Sequence, residues 1–573
     1  MSLYRAGTTL SLLASLAVAV AGCPTAPAEG EGEEGEGEEG EGEGEGEGEG
    51  EGEGEGEGEG EGEPIVEPGD PGAAELLLQV RVDTGRRAIS PLIYGWNGGD
   101  SAEQDRPALI RSGGNRLTAY NWENNASNAG SDWCFQNDAM LGGPSAPPAN
   151  AFVDLLDDAE ARGTSALVTL PMVDFVAADH DDLGDGGQGP PSCVGDVANS
   201  GADYVQTRFV ENHAAKGAAF ADPPNESDGE VFQDEALAYL RAHWPAVPLL
   251  VNLDNEPDLW SQTHARIHPD PVSYAELRDR TLAFAGAIKD VDEGVTVLGF
   301  VSYGYAGYTT LQGAPDAGAH GEFIPWFLDE LAAADATAGR RVVDVLDLHW
   351  YPEARGEGVR ISDAQDDTAA AARVQAPRSL WDPSYQEDSW IANDVLGGPV
   401  ELLPTLFGHI DAHYPGTGLS FTEWNYGGGS HISGAIAVAD VLGVIGRLGV
   451  FAATYYPLAG DEPFARAGLR VFTNVDGVGA AFGVTAVFAG TDDVERVTVY
   501  ASDHPLVVVA LNKSGDSIDA ALTLAAPATA QLARFVLDGD APTIAAATPV
   551  DAVAQNAFRV TLPPWSVTVL RAP

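Results

Sequence analysis

Between about residues 91 and 456 the chain alternates short apolar runs with longer amphipathic stretches, and this alternation restricts the fold more than any other feature. Apolar runs bounded by turn residues read as buried strands, and apolar positions recurring every three to four residues read as helices packed against them. The expected strands are residues 92–96, 115–118, 166–170, 249–253, 295–301, 343–349, 419–423 and 452–456. The expected helices include 152–162, 231–242, 274–289, 323–334 and 432–448. Strand–helix repetition builds a parallel sheet and eight repeats can close it, so the fold class is α/β, a (β/α)8 TIM-like barrel over 91–474.

Past residue 475 the pattern changes to short strands separated by turns, at 494–500, 506–511, 520–524, 532–537, 558–562 and 566–570, which reads as a β-sandwich domain over 475–573. Residues 76–82 alternate in the same way, so 75–90 is expected to supply an N-terminal strand to that sandwich.

The N-terminus has a different character. Arg5 precedes an apolar run at 10–21, too short to span a bilayer, and the run ends Val20-Ala21-Gly22-Cys23. Residues 1–22 therefore read as a signal peptide of lipoprotein type, with Cys23 as the lipidated residue and a cell-envelope, surface-exposed location. Plain secretion with an incidental cysteine is the alternative. Residues 29–63 contain nineteen Glu, sixteen Gly and nothing else. Such a segment has nothing to bury and repels itself, so 23–74 is expected to be a disordered spacer. Cys134 and Cys193 are the remaining cysteines, and export makes a disulfide between them plausible.

The net charge of −59 argues against nucleic acid as a partner, because phosphate binding needs a basic footprint. A neutral polymer suits this surface better. The membrane is expected to be met only through the lipid, and the chain is expected to be a monomer.

Barrel chemistry stands at the carboxyl ends of strands, and two carboxylates fall there. The fourth strand delivers Asn255-Glu256-Pro257 and the seventh ends at Glu423-Trp424. Glycoside cleavage with retention needs such a pair, one to protonate the leaving oxygen and one to attack the anomeric carbon. The alternative for each is a structural salt bridge.

The motifs around these residues resemble glycoside hydrolase family 44. They are 113–125 (GGNRLTAYNWENN), 253–257 (LDNEP), 347–354 (DLHWYPEA), 375–383 (QAPRSLWDP) and 422–434 (TEWNYGGGSHISG), followed by Asn512-Lys513-Ser514 and 562–567 (LPPWSV). The resemblance covers about 76–573. It implies retaining hydrolysis of β-1,4-linked glucans, including cellulose derivatives and xyloglucan, by a barrel joined to a β-sandwich, with Glu256 as acid/base and Glu423 as nucleophile. Many relatives carry Tyr-Asp-Tyr after the nucleophile, where this chain has Trp424-Asn425-Tyr426. The chemistry requires no cofactor. The resemblance also implies structural calcium in some members; the acidic stretch 179–185 is a candidate ligand set, and a solvated acidic loop is the alternative.

On this reading Glu256 starts protonated and Glu423 ionised, with the carboxyl groups about 5–5.5 Å apart. Asn255 is a candidate to bind the sugar 2-hydroxyl, Arg116 to hold Glu423 ionised from the end of the second strand, and Tyr351 to donate to it. His349 is a candidate supporting group or a satisfied core residue. Trp122, Trp133, Trp260, Trp350, Trp381, Trp390, Trp424 and Tyr426 are candidate platforms for sugar rings, Trp350 and Trp424 foremost. Two other readings remain at this level, a glycan-binding lipoprotein without hydrolysis and a xylanase or mannanase on the same scaffold.

Overall fold

Eight parallel strands close into a barrel in the computed structural model, which describes residues 64–98, 103–184 and 192–573. They are β1 (Gly95–Asn97), β2 (Leu109–Ser112), β3 (Ser165–Leu170), β4 (Leu249–Leu253), β5 (Thr296–Ser302), β6 (Val345–Trp350), β7 (Gly418–Trp424) and β8 (Ala452–Tyr455). Neighbours pair in sequence order, and β8 returns to β1 through Thr454 opposite Gly95. Helices such as Asn150–Arg162, Gln233–His243, Tyr274–Val291, Phe323–Ala338, Leu402–His413 and Ile432–Leu448 connect the strands and cover the barrel wall.

The second strand differs from the sequence reading. Residues 115–118 form a helical turn, Asn115–Thr118, and the strand is Leu109–Ser112 instead. Gly114 explains the break: its φ of 98° is open to glycine and strained for other residues, so the chain cannot continue extended through it. Among its described residues the β1–β2 connection holds a short 3-10 turn, Glu103–Asp105, and no longer helix, so its periodicity gave no cue.

Side chains pointing into the barrel lie in layers because strand residues alternate faces. The floor is apolar: Leu109, Leu167, Leu250, Leu298, Val345 and Ala452 pack together. Two residues further along the strands the layer turns polar, with Arg111, Thr169, Asn252, Asp347 and Thr454 all buried. The mouth lies above it.

The β-rich part is a ten-stranded sheet that folds back on itself. Leu76–Arg81, which precedes the barrel in sequence, pairs parallel with Ile518–Ala525 and antiparallel with Thr485–Thr491, closing the ring of strands. Inward residues Leu76, Leu78 and Val80 join Leu522, Val560 and Leu570 in its core. Three of its strands, the two-residue Arg87–Ala88, Thr485–Thr491 and Ala545–Ala554, are absent from the sequence reading; the last is Ala-rich and largely exposed, so it carries no apolar alternation. Barrel and sheet are fastened by a buried ion pair, Lys513 Nζ to Asp440 Oδ2 at 3.0 Å, to which Tyr500 and Thr498 add hydroxyl donors.

Candidate active site

Glu256 reaches the mouth through an unusual backbone path at the end of β4. Asp254 and Glu256 both take left-handed conformations, with φ of 65° and 49°, on either side of Asn255. The Asp254 carboxylate holds this turn by accepting from Thr118 Oγ1, the amides of Met172 and Asn255, and Trp260 Nε1. Backbone strain of this kind persists only where surrounding contacts over-determine it.

Glu423 arrives by a different device. Ser420 and Thr422 of β7 both donate to Asp347 inside the barrel, so strict alternation would turn residue 423 outward. A register irregularity of β7 against both neighbours, at Leu348/His349 and Phe421/Trp424, turns it inward instead.

The two carboxylates converge on His349. Its Nδ1 lies 2.9 Å from Glu256 Oε1 and 3.6 Å from Glu423 Oε2, and one oxygen of each glutamate and a ring nitrogen of His349 all lie within 4.8 Å of one another. Glu423 also accepts from Arg111 Nη1 at 2.7 Å and from Tyr351 Oη at 2.7 Å. Burial pushes the Glu256 pKa up and the Glu423 charge adds to this; contact with His349 and the Arg111 charge only partly offset it, and the carboxyl stays above its ordinary value. Burial works on Glu423 in the same direction, but the charges of His349 and Arg111 with the Tyr351 and Arg111 hydrogen bonds outweigh it and hold Glu423 below. His349 loses by burial and gains more from the two carboxylates, so its pKa is raised. Two adjacent acids are thus driven apart in acidity, the arrangement that separates a proton donor from an anion.

Arg111, at the end of β2, corrects the sequence reading. Arg116 does not approach Glu423; from the helical turn it pairs with Asp138 at 2.6 Å and donates to Ser127. The shift of the second strand is the physical reason, since the inward residue at its end is Arg111. Asn255 is buried, its Oδ1 accepting from Arg111 Nη2 and from the Gly114 amide. Asn97, Arg111, Gly113 and Tyr456 line a cavity beside Glu423. Burial, followed by the Glu423 charge, raises the Tyr456 hydroxyl to about 12. Neither Arg111, Asn97 nor Tyr456 was identified from sequence; an arginine directly after the apolar run Ala108-Leu109-Ile110 and shortly before Gly113-Gly114 was the available signal.

The expected aromatic platforms divide by burial. Trp122 is 1% exposed and donates to the Phe232 carbonyl inside the wall, and Trp260 is fully buried against Asp254 and under the Arg280 guanidinium. Neither offers a face to a sugar. Trp381 lies under Arg447, with Thr491 and Tyr500 of the β-rich domain beside it, so it packs the domain junction instead of the mouth. Trp350 donates to Tyr426 Oη, and Trp424 meets Tyr455 edge-on at 5.0 Å; all three of Trp350, Trp424 and Tyr426 are buried, so they support the mouth's wall and do not form open platforms. Trp133 and Trp390 are the exposed ones, at 39% and 40%. These differences have one cause: exposure of a large ring depends on what distant segments pack over it.

Cys134 and Cys193 are disulfide-bonded and tie the Trp133 loop to the segment after the acidic stretch. In that stretch Asp179 is already engaged by Arg208 through two hydrogen bonds, while Asp181 and Asp182 cap backbone amides of Leu183 and Gly184. A guanidinium occupies the place a cation would take, so these residues do not fit calcium; Asp185 lies outside the described residues, as does Cys23. Among the described residues, the side chains that converge closely enough to ligate a cation are the Glu256–His349–Glu423 group and a surface group of Glu211, His213 and Glu230.

The model of glycoside hydrolase family 44 matches residues 126–354. Endoglucanase A of Paenibacillus lautus is 37% identical over 519 residues, covering 86% of this chain and 72% of the relative. A family 44 xyloglucanase of Paenibacillus polymyxa, solved with xyloglucan, is 38% identical with a TM-score of 0.80 over 87% of this chain and 99% of that one. The family 44 endoglucanase of Clostridium thermocellum is 36% identical, also with a TM-score of 0.80, over 87% of this chain and 100% of that one. With a relative this similar over this much of both chains, and a barrel whose strand ends present the paired glutamates, the chain belongs to glycoside hydrolase family 44.

Proposed function

We infer that the protein is an endo-acting glycoside hydrolase that cleaves internal β-1,4-glucosidic bonds of cellulose-type glucans or xyloglucan with retention. The observation that carries the reading is the approach of Glu256 and Glu423 to within 4.8 Å with their acidities driven in opposite directions. That spacing suits direct attack on the anomeric carbon and is shorter than the ~6.5–9.5 Å that an interposed water requires. The endoglucanase and xyloglucanase relatives support the substrate class.

In the proposed reaction Glu256 donates its proton to the glycosidic oxygen as Glu423 attacks the anomeric carbon, expelling the leaving chain and forming a glycosyl ester. In the ester a Glu423 oxygen is bonded to the anomeric carbon and its charge is neutralised; Glu256, now ionised, removes a proton from the water that attacks that carbon, and Glu423 leaves as a carboxylate. Arg111 and Tyr351 keep Glu423 ionised and aimed between turnovers, and His349 fixes Glu256 beside it. The Asn255 amide nitrogen, opposite the oxygen that Arg111 holds, is the group assigned to the sugar 2-hydroxyl. No step calls for a cofactor. Glu423→Gln should abolish release of reducing ends from soluble β-glucans while the fold persists, and proton NMR of the first products should show the β anomer. Undiminished activity in the variant overturns the reading, and a panel of cellulose derivatives, xyloglucan, xylan and mannan fixes the preferred chain.

The location proposed is the bacterial envelope, with acyl chains on Cys23 and the Glu-Gly run as a spacer of at most ~120 Å. Cys23→Ser should release the protein from membranes; unchanged partitioning would exclude the anchor.

A further inference from the structure

A chain of buried polar groups runs beneath Glu423 and ends on a carboxylate that the proposed reaction does not touch. Arg111 Nε donates to Asn252 Oδ1 at 2.9 Å, and Asn252 Nδ2 donates to Asp347 Oδ2 at 2.6 Å. Arg111, Asn252 and Asp347 are all fully buried. The Asp347 oxygens collect donors from Asn252, Ser420 Oγ, and the amide and hydroxyl of Thr422.

An asparagine amide can face either way, and its neighbours decide which end is oxygen. Asp347 Oδ2 accepts from the Asn252 NH2, which leaves Oδ1 facing the guanidinium. Arg111 donates only, so it needs that oxygen. The remaining Arg111 donors reach Asn97 Oδ1, Asn255 Oδ1 and Glu423 Oε1, again all acceptors. The Asn252 amide is therefore held from both ends, by an acceptor below it and a donor above it. We propose that Asp347 is a positioning residue for the nucleophile: acting through Asn252, it fixes the orientation in which Arg111 holds Glu423.

This rests on the reading of Glu423 as nucleophile and adds a residue one layer below the mouth. Asp347→Asn is nearly isosteric but can present NH2 to Asn252, which favours the flipped amide and sets a donor against Arg111 Nε. The expected result is a loss in kcat of about 100-fold with KM little changed. The acidic limb of the kcat/KM profile should move up, because a misaimed Arg111 hydrogen-bonds Glu423 less well and this outweighs the removal of the Asp347 charge; N252A, which keeps that charge, should move it further. The double variant D347N/N252D restores an acceptor to Arg111 and a donor–acceptor match below it, and should recover at least roughly tenfold of the loss. A purely structural role predicts no such rescue. Should D347N fail to fold, Asn252→Ala, which spares the Ser420 and Thr422 contacts of Asp347, should still move the acidic limb upward. Glutamate-selective 13C NMR, with E423Q assigning the signal, follows the Glu423 carboxyl without requiring turnover. If the wild type hydrolyses no glucan, the functional reading fails; if it does and the limb, the NMR titration and kcat stay in place in D347N or in N252A, or the double variant gives no recovery, the relay fails.

Discussion

Arg111 Nη1 donates to Glu423 Oε1 over 2.7 Å with the guanidinium side chain fully buried and the carboxylate only 6% exposed. A charge pair this deep has given up its hydration, so its members depend on each other and on the amide oxygens around them far more than a surface pair does. The pairing explains how a buried carboxylate stays an anion beside a second acid.

Replacing Arg111 should therefore do more than remove a contact. Arg111→Lys cannot reach Asn252, Asn255 and Glu423 together through one rigid fork, so kcat should fall by about two orders of magnitude and the acidic limb of kcat/KM should move upward. Arg116→Ala, which breaks only the Asp138 and Ser127 contacts, should leave that limb where it is. Paired pH–rate profiles separate the two arginines.

The proton donor has its own signature. Glu256→Ala should nearly abolish hydrolysis of glucans, yet on an aryl β-cellobioside with a highly acidic phenol the first step no longer needs protonation. Azide, small and needing no general base, should then restore turnover and give a β-glycosyl azide, identified by NMR. An α-azide, or no rescue, would contradict the assignment of acid and nucleophile.

Asp258, two residues past the acid, is buried, and burial followed by the Glu256 charge raises its pKa to about 7. A carboxyl whose folded pKa lies above the unfolded value keeps in the fold a proton that the unfolded chain has released. Its contribution to stability is complete below about pH 4 and is lost as pH rises through about 7, a change on the order of 4 kcal/mol. Denaturant unfolding at pH 5 and pH 8 should show a smaller difference in Asp258→Asn than in the wild type.

Cutting the Cys134–Cys193 bond frees a long loop in the unfolded chain, worth up to about 4 kcal/mol by chain entropy. The double serine variant should melt at a lower temperature in calorimetry. Because the bridge adjoins exposed Trp133 and is remote in sequence from both glutamates, KM for a long glucan should rise while kcat changes little.

Glu256 and Glu423 were legible because each lies at or just past the end of a strand-like run, and strand ends are where a barrel presents side chains. Leu249–Leu253 and Gly418–Trp424 carry enough apolar residues for their class to survive without context. Leu109–Ser112 does not: four residues, Leu-Ile-Arg-Ser, followed by two glycines, look like a turn until neighbours on both sides supply its ladder. With that strand went the choice between Arg111 and Arg116. The tryptophans failed for a related reason, since nothing near Trp122 or Trp260 in sequence marks them as covered while Trp133 and Trp390 stand open.

The order of strands and helices, the two acids at strand ends and the change to short strands past residue 475 follow from local hydrophobic period, which each segment carries by itself. Ring closure decided the rest. Arg111 meets Glu423, His349 bridges both glutamates and Asp347 lies beneath them only because β2, β4, β6 and β7 stand around one axis, bringing together charges that are far apart along the chain.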